Sequence, residues 1–496
     1  MTAVTRPSGA STSPHGLTFP AGFRWGAATA AYQIEGSTTV DGRGPSIWDT
    51  FAAKPGAILN GDTGEQACDH FRRYADDVRL MAELGLPCYR FSVAWPRVQP
   101  DGRTTSAAGL GFYDRLVDQL LEHGIEPIAT LYHWDLPQAL QDEGGWPARD
   151  TALRFADYAE AVYRVLGDRV TDWTTINEPF CSAYFGYGTG IHAPGIRDEA
   201  AALRAAHHLL LAHGLGTRSL RAAATGPLRV SIVFNLGSIL IARDDPEHRE
   251  AARKVDGMQN RLFLDPVLGA GYPPDVLADI AFLDALEPAI QDGDLDVIAT
   301  PIDHLGVNYY GPTRYAPSGD PTARGTCDLP GVRGVDTLPP RGRLTGFGWE
   351  QDPDALTDLL LSVSERCDVP LIVAENGASF ADEVIGDRVH DAERTRYLAE
   401  HIRAVHRALQ LGADVRGYLV WSLLDNFEWA MGFSQRFGIV HVDFATQRRR
   451  VKDSGWMFSE VARSNMLPAS VADPDPGTYR RRPVVDRERW GLVALG

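Results

Sequence analysis

The sequence predicts an α/β fold, a single (β/α)8 TIM barrel with elaborated loops at the C-terminal face of its strands. Short apolar, β-rich runs alternate with longer stretches of helical period, the pattern of βα units around a parallel sheet. Eight such runs can be counted, at residues 23–33, 89–95, 127–134, 170–177, 229–235, 304–310, 370–376 and 415–421. Eight is the number that closes the barrel. The fourth and seventh runs each place a glutamate at or just past the strand's C-terminal end, the face that carries the site in such barrels.

The first run is flanked by Phe23 and Gln33, and the next two end in aromatic Trp95 and Trp134. Between the fourth run and its predecessor, Phe155, Ala159, Val162, Tyr163 and Leu166 fall on one helix face, as do Leu398, Ile402, Val405 and Leu409 before the eighth. Such faces pack against the outside of the sheet, and a core role accounts for them fully. Length alone leaves the domain count open, because 496 residues match about three average domains while α/β barrels with insertions exceed 400 residues as one.

The expected division is a flexible Ser/Thr/Pro/Gly-rich segment at 1–16, one domain at 17–467, and an extension at 468–496. That extension contains Asp-Pro-Asp-Pro-Gly and Tyr-Arg-Arg-Arg-Pro and little period, so it reads as draped on the barrel or partly disordered. Residues 312–348, crowded with Pro, Gly and Arg, read as a long mobile loop over the pocket rim.

A formal net charge of -17 opposes binding to nucleic acid or to anionic membranes, which both require a positive footprint. Five widely spaced cysteines without a CxxC pair fit free thiols in a reducing cytosol. The N-terminus lacks the apolar core of a secretory signal, and no apolar stretch approaches the ~20 residues of a membrane span. A cytoplasmic location is the expectation, with the oligomeric state unreadable.

Chemistry enters with Thr-Ile-Asn-Glu-Pro at 175–179 and Leu-Ile-Val-Ala-Glu-Asn-Gly at 371–377. Burial of Glu178 beside Trp173 and Phe180 would raise its pKa, as a general acid requires; the alternative is a carboxylate capping the next helix. Glu375 would face it across the barrel mouth as a nucleophile, kept ionised by Arg90 and the Tyr310 hydroxyl. The alternative for Arg90 is a structural ion pair. Gln33, His133, Asn177 and Glu428 offer planar hydrogen-bonding groups for sugar hydroxyls, and Trp134, Trp421 and Trp429 offer aromatic faces or plain core. No second His or Cys stands at ligand spacing to His133, so neither a metal nor another cofactor is expected.

An ordered set of segments resembles glycoside hydrolase family 1, the β-glucosidase family, from about Phe19 to about Asn465. These are Phe-Pro-Ala-Gly-Phe-Arg-Trp-Gly-Ala-Ala-Thr-Ala-Ala-Tyr-Gln-Ile-Glu-Gly, Tyr-Arg-Phe-Ser-Val-Ala-Trp-Pro-Arg, Leu-Tyr-His-Trp-Asp-Leu-Pro, Thr-Ile-Asn-Glu-Pro, Gly-Val-Asn-Tyr-Tyr, Val-Ala-Glu-Asn-Gly and Trp-Ser-Leu-Leu-Asp-Asn-Phe-Glu-Trp. The resemblance implies a metal-free double displacement with Glu178 as acid/base and Glu375 as nucleophile, Tyr310 and Arg90 lying near the latter. It implies that Gln33, His133, Asn177, Trp421, Glu428 and Trp429 hold the non-reducing sugar, with Asn308 and Phe437 at the edge of that subsite. Ala374 departs from the small polar residue more usual there, which removes at most a supporting hydrogen bond.

The reading is a retaining β-glucosidase, with β-galactosidase or β-fucosidase tolerance, acting on β-glucosides or cello-oligosaccharides from cellulose breakdown. A 6-phospho-β-glycosidase would present Ser, Lys and Tyr to the phosphate where this chain has Glu428, Gln435 and Phe437, and a carboxylate repels a phosphate dianion. A binding protein that had lost catalysis would be expected to lack one of the two glutamates.

Overall fold

The computed structural model of the chain describes residues 11–13 and 16–471. Eight parallel strands close into a barrel: β1 (Arg24–Ala28), β2 (Cys88–Ser92), β3 (Glu126–Tyr132), β4 (Asp172–Asn177), β5 (Arg229–Phe234), β6 (His304–Tyr309), β7 (Leu371–Asn376) and β8 (Val415–Trp421). Each strand neighbours the next in sequence, and β8 returns to pair with β1 through Gly417↔Arg24 and Trp421↔Ala28. All eight runs expected from the sequence are strands. The first is shorter than expected, since the chain turns after Ala28 into a helix, Ala31–Ile34, that holds Gln33.

Helices surround the sheet and bury the faces that the sequence period marks. Phe155, Ala159, Val162, Tyr163 and Leu166 are all buried in the helix Asp150–Leu166. In the helix Ala392–Gln410, Leu398, Ile402 and Val405 are buried, while Leu409 near its end is half-buried. Trp173 lies on the outer face of β4 and packs on Tyr163, with ring centroids 5.3 Å apart. It therefore does not wall Glu178, contrary to expectation, because successive side chains of a strand point to opposite faces.

Residues 312–348 are not a structureless rim. Pro312–Pro317 pairs antiparallel with Val335–Leu338 and parallel with Ser238–Ile241, forming a three-stranded sheet beside the barrel. Its partner strand lies some seventy residues earlier in sequence, which a local reading of Pro and Gly content cannot detect. Met466–Pro468 pairs with Gly16–Thr18, which also pairs with Ser11–Ser13. Residues 1–10 and 472–496 lie outside the described residues.

The N-terminal ends of the strands are tied by a buried carboxylate. Asp172 accepts from Arg24 at 2.7 Å and from Arg229 at 3.1 Å, and His304 stands 3.5 Å away. Burial alone would raise its pKa, but the neighbouring charges of His304, Arg24 and Arg229 hold it below the usual carboxylate range. A depressed carboxylate stabilises the fold above its unfolded pKa, and that contribution is lost as pH falls through the folded pKa. Asp172 is buried while Arg24 and Arg229 reach solvent, so losing the carboxylate costs about 1–3 kcal/mol, the penalty of hydrogen-bonding groups left unpaired. Asp172→Ala is accordingly expected to lower the unfolding temperature markedly while the opposite face of the barrel keeps its geometry, read by thermal unfolding alongside activity at 25 °C. An unchanged unfolding temperature would mean that the ring of charges is held by solvent rather than by Asp172.

Candidate active site

The residues at the C-terminal ends of β2, β4, β6, β7 and β8 converge on one buried network. Arg90 of β2 donates through Nη1 to Glu375 Oε1 of β7 and through Nη2 to Asn177 Oδ1 of β4, each at 2.7 Å. Tyr310, just past β6, donates its hydroxyl to Glu375 Oε2 at 2.6 Å. Asn308 Nδ2 reaches Glu178 Oε1 at 2.7 Å and Asn177 Oδ1 at 3.2 Å. The side chain of Glu178 is thus turned to the barrel mouth and does not cap the helical segment Cys181–Gly188 that follows.

Guanidinium donors fix the orientation of everything they touch. Arg90 can only donate, so Asn177 Oδ1 accepts and its Nδ2 must donate to His133 Nε2, 3.1 Å away. His133 then carries its proton on Nδ1. Burial and the Arg90 charge hold its pKa well below the usual value, keeping the ring neutral. Among the described residues, buried His133 Nδ1 has no partner, and neither do the acceptors Gln33 Oε1 and Asn308 Oδ1. Gln33 Nε2 is already committed, to Asn426 Oδ1 at 3.0 Å, Phe427 O at 2.9 Å and Glu428 Oε2 at 3.3 Å. Unpaired buried donors and acceptors are costly and call for a polar partner, water or a ligand.

Aromatic rings close the remaining walls. Trp134 packs on Trp429 at 4.5 Å and donates Nε1 to Asn177 O at 3.1 Å; Trp421 stacks on His133 at 5.7 Å. Phe437 meets Tyr310 at 6.1 Å. Every expected site residue is therefore part of one connected cluster. Trp48, 4.6 Å from Trp429, and the stacked pair Phe347 and Trp349, packed on Tyr310 and Phe437, belong to it as well. Neither has a local sequence signal for this role: Trp48 stands in an apolar stretch, and Gly-Phe-Gly-Trp straddles the end of the Pro- and Gly-rich segment.

Backbone strain gathers at the same place. Trp134, Glu178 and Trp429 have φ of 79°, 48° and 48°, a region that disfavours residues bearing a Cβ. At Gly377 the chain after Glu375 approaches β8 so closely that a Cβ would lie 1.7 Å from Trp421 O. Only glycine fits there.

The two glutamates titrate as a pair. Burial lifts Glu178 to about 8, with the charge of Glu375 adding to the rise and Asn308 opposing it. Burial also raises Glu375 above the usual carboxylate value, and Arg90 and the Tyr310 hydroxyl limit that rise. A single proton shared between them therefore rests on Glu178. Among the described residues no three His, Cys, Asp or Glu side chains are grouped to hold a metal.

The sequence profile of Glycosyl hydrolase family 1 matches residues 15–467. The chain belongs to this family. It is 53% identical over 91% of its length to a thermostable beta-glucosidase B of Thermobispora bispora, covering 92% of that protein. It is 47% identical over 88% of its length to a bifunctional beta-D-glucosidase/beta-D-fucosidase of Bifidobacterium breve, covering 96% of it. Among solved structures, the family 1 β-glucosidase of Thermotoga maritima in complex with glucoimidazole superposes with a TM-score of 0.86 at 43% identity, over 91% of this chain and 100% of that one. The expected family and the closed-barrel fold are thereby established.

Tyr310→Phe deletes one of the donors that favour ionised Glu375, so the Glu375 pKa should rise while Arg90 stays in place. Carboxyl-carbon NMR titration of glutamate-labelled protein reads that rise directly. A titration that does not move would mean that Arg90 alone sets the charge of Glu375.

Proposed function

We propose that this family 1 chain is a retaining β-glucosidase that releases terminal, non-reducing β-D-glucosyl residues by double displacement. The observation that carries the reading is the pairing of unlike carboxyls, one held by Arg90 and Tyr310 and one holding the proton, beside buried donors and acceptors without protein partners. Polyol hydroxyls both donate and accept, which is what His133 Nδ1, Gln33 Oε1 and Asn308 Oδ1 require. Gln33 and Glu428 take the outer hydroxyls, the hydroxymethyl group included, and Trp134, Trp421 and Trp429 shape the walls.

In the first step Glu375 attacks the anomeric carbon while Glu178 transfers its proton to the departing oxygen, leaving an α-glycosyl ester. In the second, Glu178 removes a proton from water, which displaces Glu375 and restores the β configuration. Asn308 supports the close spacing this needs, about 5–5.5 Å, because its amide faces both carboxyls. The Bifidobacterium breve relative supports tolerance of β-fucosides, and tolerance of β-galactosides belongs to the same proposal. Glu428 and Phe437 stand where a phosphate would sit and supply neither a cation nor hydroxyl donors in place of the Ser, Lys and Tyr a phosphate needs, which argues against 6-phosphoglycosides.

The natural substrates we propose are small β-glucosides or cello-oligosaccharides derived from cellulose, met in the cytoplasm. No helix among the described residues is long and apolar enough to cross a membrane. The catalytic unit is assigned to residues 17–467, with 1–16 and 468–496 as appendages outside the chemistry.

A 2-deoxy-2-fluoroglucoside with a good leaving group should trap the ester, and peptide mapping should find the added mass on Glu375. A label on another carboxylate would overturn that assignment. Glu178 gives a second test through pH. With its pKa at about 8, the proton donor is lost as pH rises through that value, so kcat/KM for cellobiose should fall on the alkaline side. A dinitrophenyl glucoside needs little acid assistance and should fall less. In Glu178→Ala, cellobiose hydrolysis should drop roughly 100- to 10000-fold, while azide restores turnover of the dinitrophenyl substrate. Equal losses on both substrates would show that Glu178 is not the donor.

A further inference from the structure

A second buried cluster of charges lies beside the segments that follow β7 and β8, and the chemistry proposed above does not use it. Arg394 pairs with Asp382 and Asp391 at 2.7 and 2.6 Å, Lys452 with Asp382 and Asp425 at 2.6 and 2.7 Å, and Arg436 with Asp425 at 2.7 Å. Three cations thus meet three carboxylates, and all but Arg436 have buried side chains. Charge balance explains why the cluster can be buried. It does not explain the other bonds that Arg394 makes.

Arg394 is a fork with prongs on two different segments. Its Nε donates to Ala378 O at 3.2 Å, three residues past Glu375, and its Nη2 donates to Arg436 O at 2.6 Å, one residue before Phe437. A second tie joins the same segments, from Ser379 Oγ to Gln435 Oε1 at 2.7 Å. A third fixes the far segment, from Gly438 N to Asp425 Oδ1 at 3.0 Å. The stretch from Glu428 to Phe437 carries one end of the sugar pocket, and Glu375 sits at the other.

We propose that Arg394 is a positioning residue that sets the wall from Glu428 to Phe437 in register with Glu375, and so fixes selectivity for the sugar's outer, hydroxymethyl end. The inference rests on the β-glucosidase reading. A lysine at 394 keeps the positive charge between Asp382 and Asp391 but has no planar fork to reach both carbonyls. Arg394→Lys therefore separates charge balance from positioning.

The test compares nitrophenyl β-glucoside with nitrophenyl β-xyloside, which lacks the hydroxymethyl group. In Arg394→Lys, the ratio of kcat/KM for glucoside over xyloside should fall by roughly 10- to 100-fold, the range that a displacement near 1 Å costs a positioned substrate. The pH profile should stay put, because Arg90, Tyr310 and Asn308 are untouched. Equal loss on both glycosides in a folded variant, by circular dichroism, would overturn the proposal and leave Arg394 merely structural. If Arg394→Lys fails to fold, Ser379→Ala removes one tie without unpairing a charge and should lower the same ratio by about 2- to 5-fold, within the cost of one neutral hydrogen bond. An unchanged ratio there overturns it too. Wild-type protein inactive on both glycosides would instead sink the β-glucosidase reading.

Discussion

Arg90 sits between Glu375 and Asn177 with its guanidinium buried, and the rest of the pocket takes its orientation from that placement. A guanidinium cannot lose its proton or accept a bond. Its two donations therefore favour the charged form of Glu375, together with the Tyr310 hydroxyl, and decide the sense of the Asn177 amide, the tautomer of His133 and the donor that His133 leaves over. Glu178, out of hydrogen-bonding reach of Arg90, keeps its proton because burial and the charge of Glu375 both favour the neutral acid. One cation placed off-centre is enough to give two chemically identical side chains different roles.

That asymmetry requires a site that cannot relax, and the surrounding backbone supplies the stiffness. Trp134, Glu178 and Trp429 adopt left-handed φ values in spite of their side chains, which persists only where packing over-determines the chain. The Trp134–Trp429 contact and the close approach at Gly377 are two such constraints. The charge cluster around Arg394 and Lys452 is a third, its Arg394 joining the segment after Glu375 to the one before Phe437.

Much of this was legible in the sequence, for physical reasons. Eight apolar runs and the helical faces between them are local signals, and each run contains its strand, although the first gives way to a helix at Ala31. Glu178 and Glu375 stand at strand ends, so counting strands was enough to bring them to one mouth. Trp173 is near Glu178 in sequence but not in space, because strand alternation sends it outward to Tyr163. The sheet made by Pro312–Pro317 was invisible for a related reason, since its stability comes from Ser238–Ile241 rather than from its own residues. Arg394 gives no local sign of its fork, as its partners come from three separate segments.

Glu428 shows how the same field shapes recognition. Burial lifts its pKa to about 8, with the charge of Glu375 adding to the rise and Gln33 opposing it. A carboxyl with that pKa is largely protonated at neutral pH, so it can donate through one oxygen and accept through the other. An acceptor-only carboxylate would demand hydroxyl donors in one fixed arrangement. A carboxylic acid meets a hydroxyl in either sense, and Gln33 Oε1 beside it accepts as well. An outer hydroxyl that changes its orientation between epimers can then exchange partners within the same pair of residues. On the proposed β-glucosidase reading, such an exchange would accommodate epimers without any change in the reacting end of the pocket.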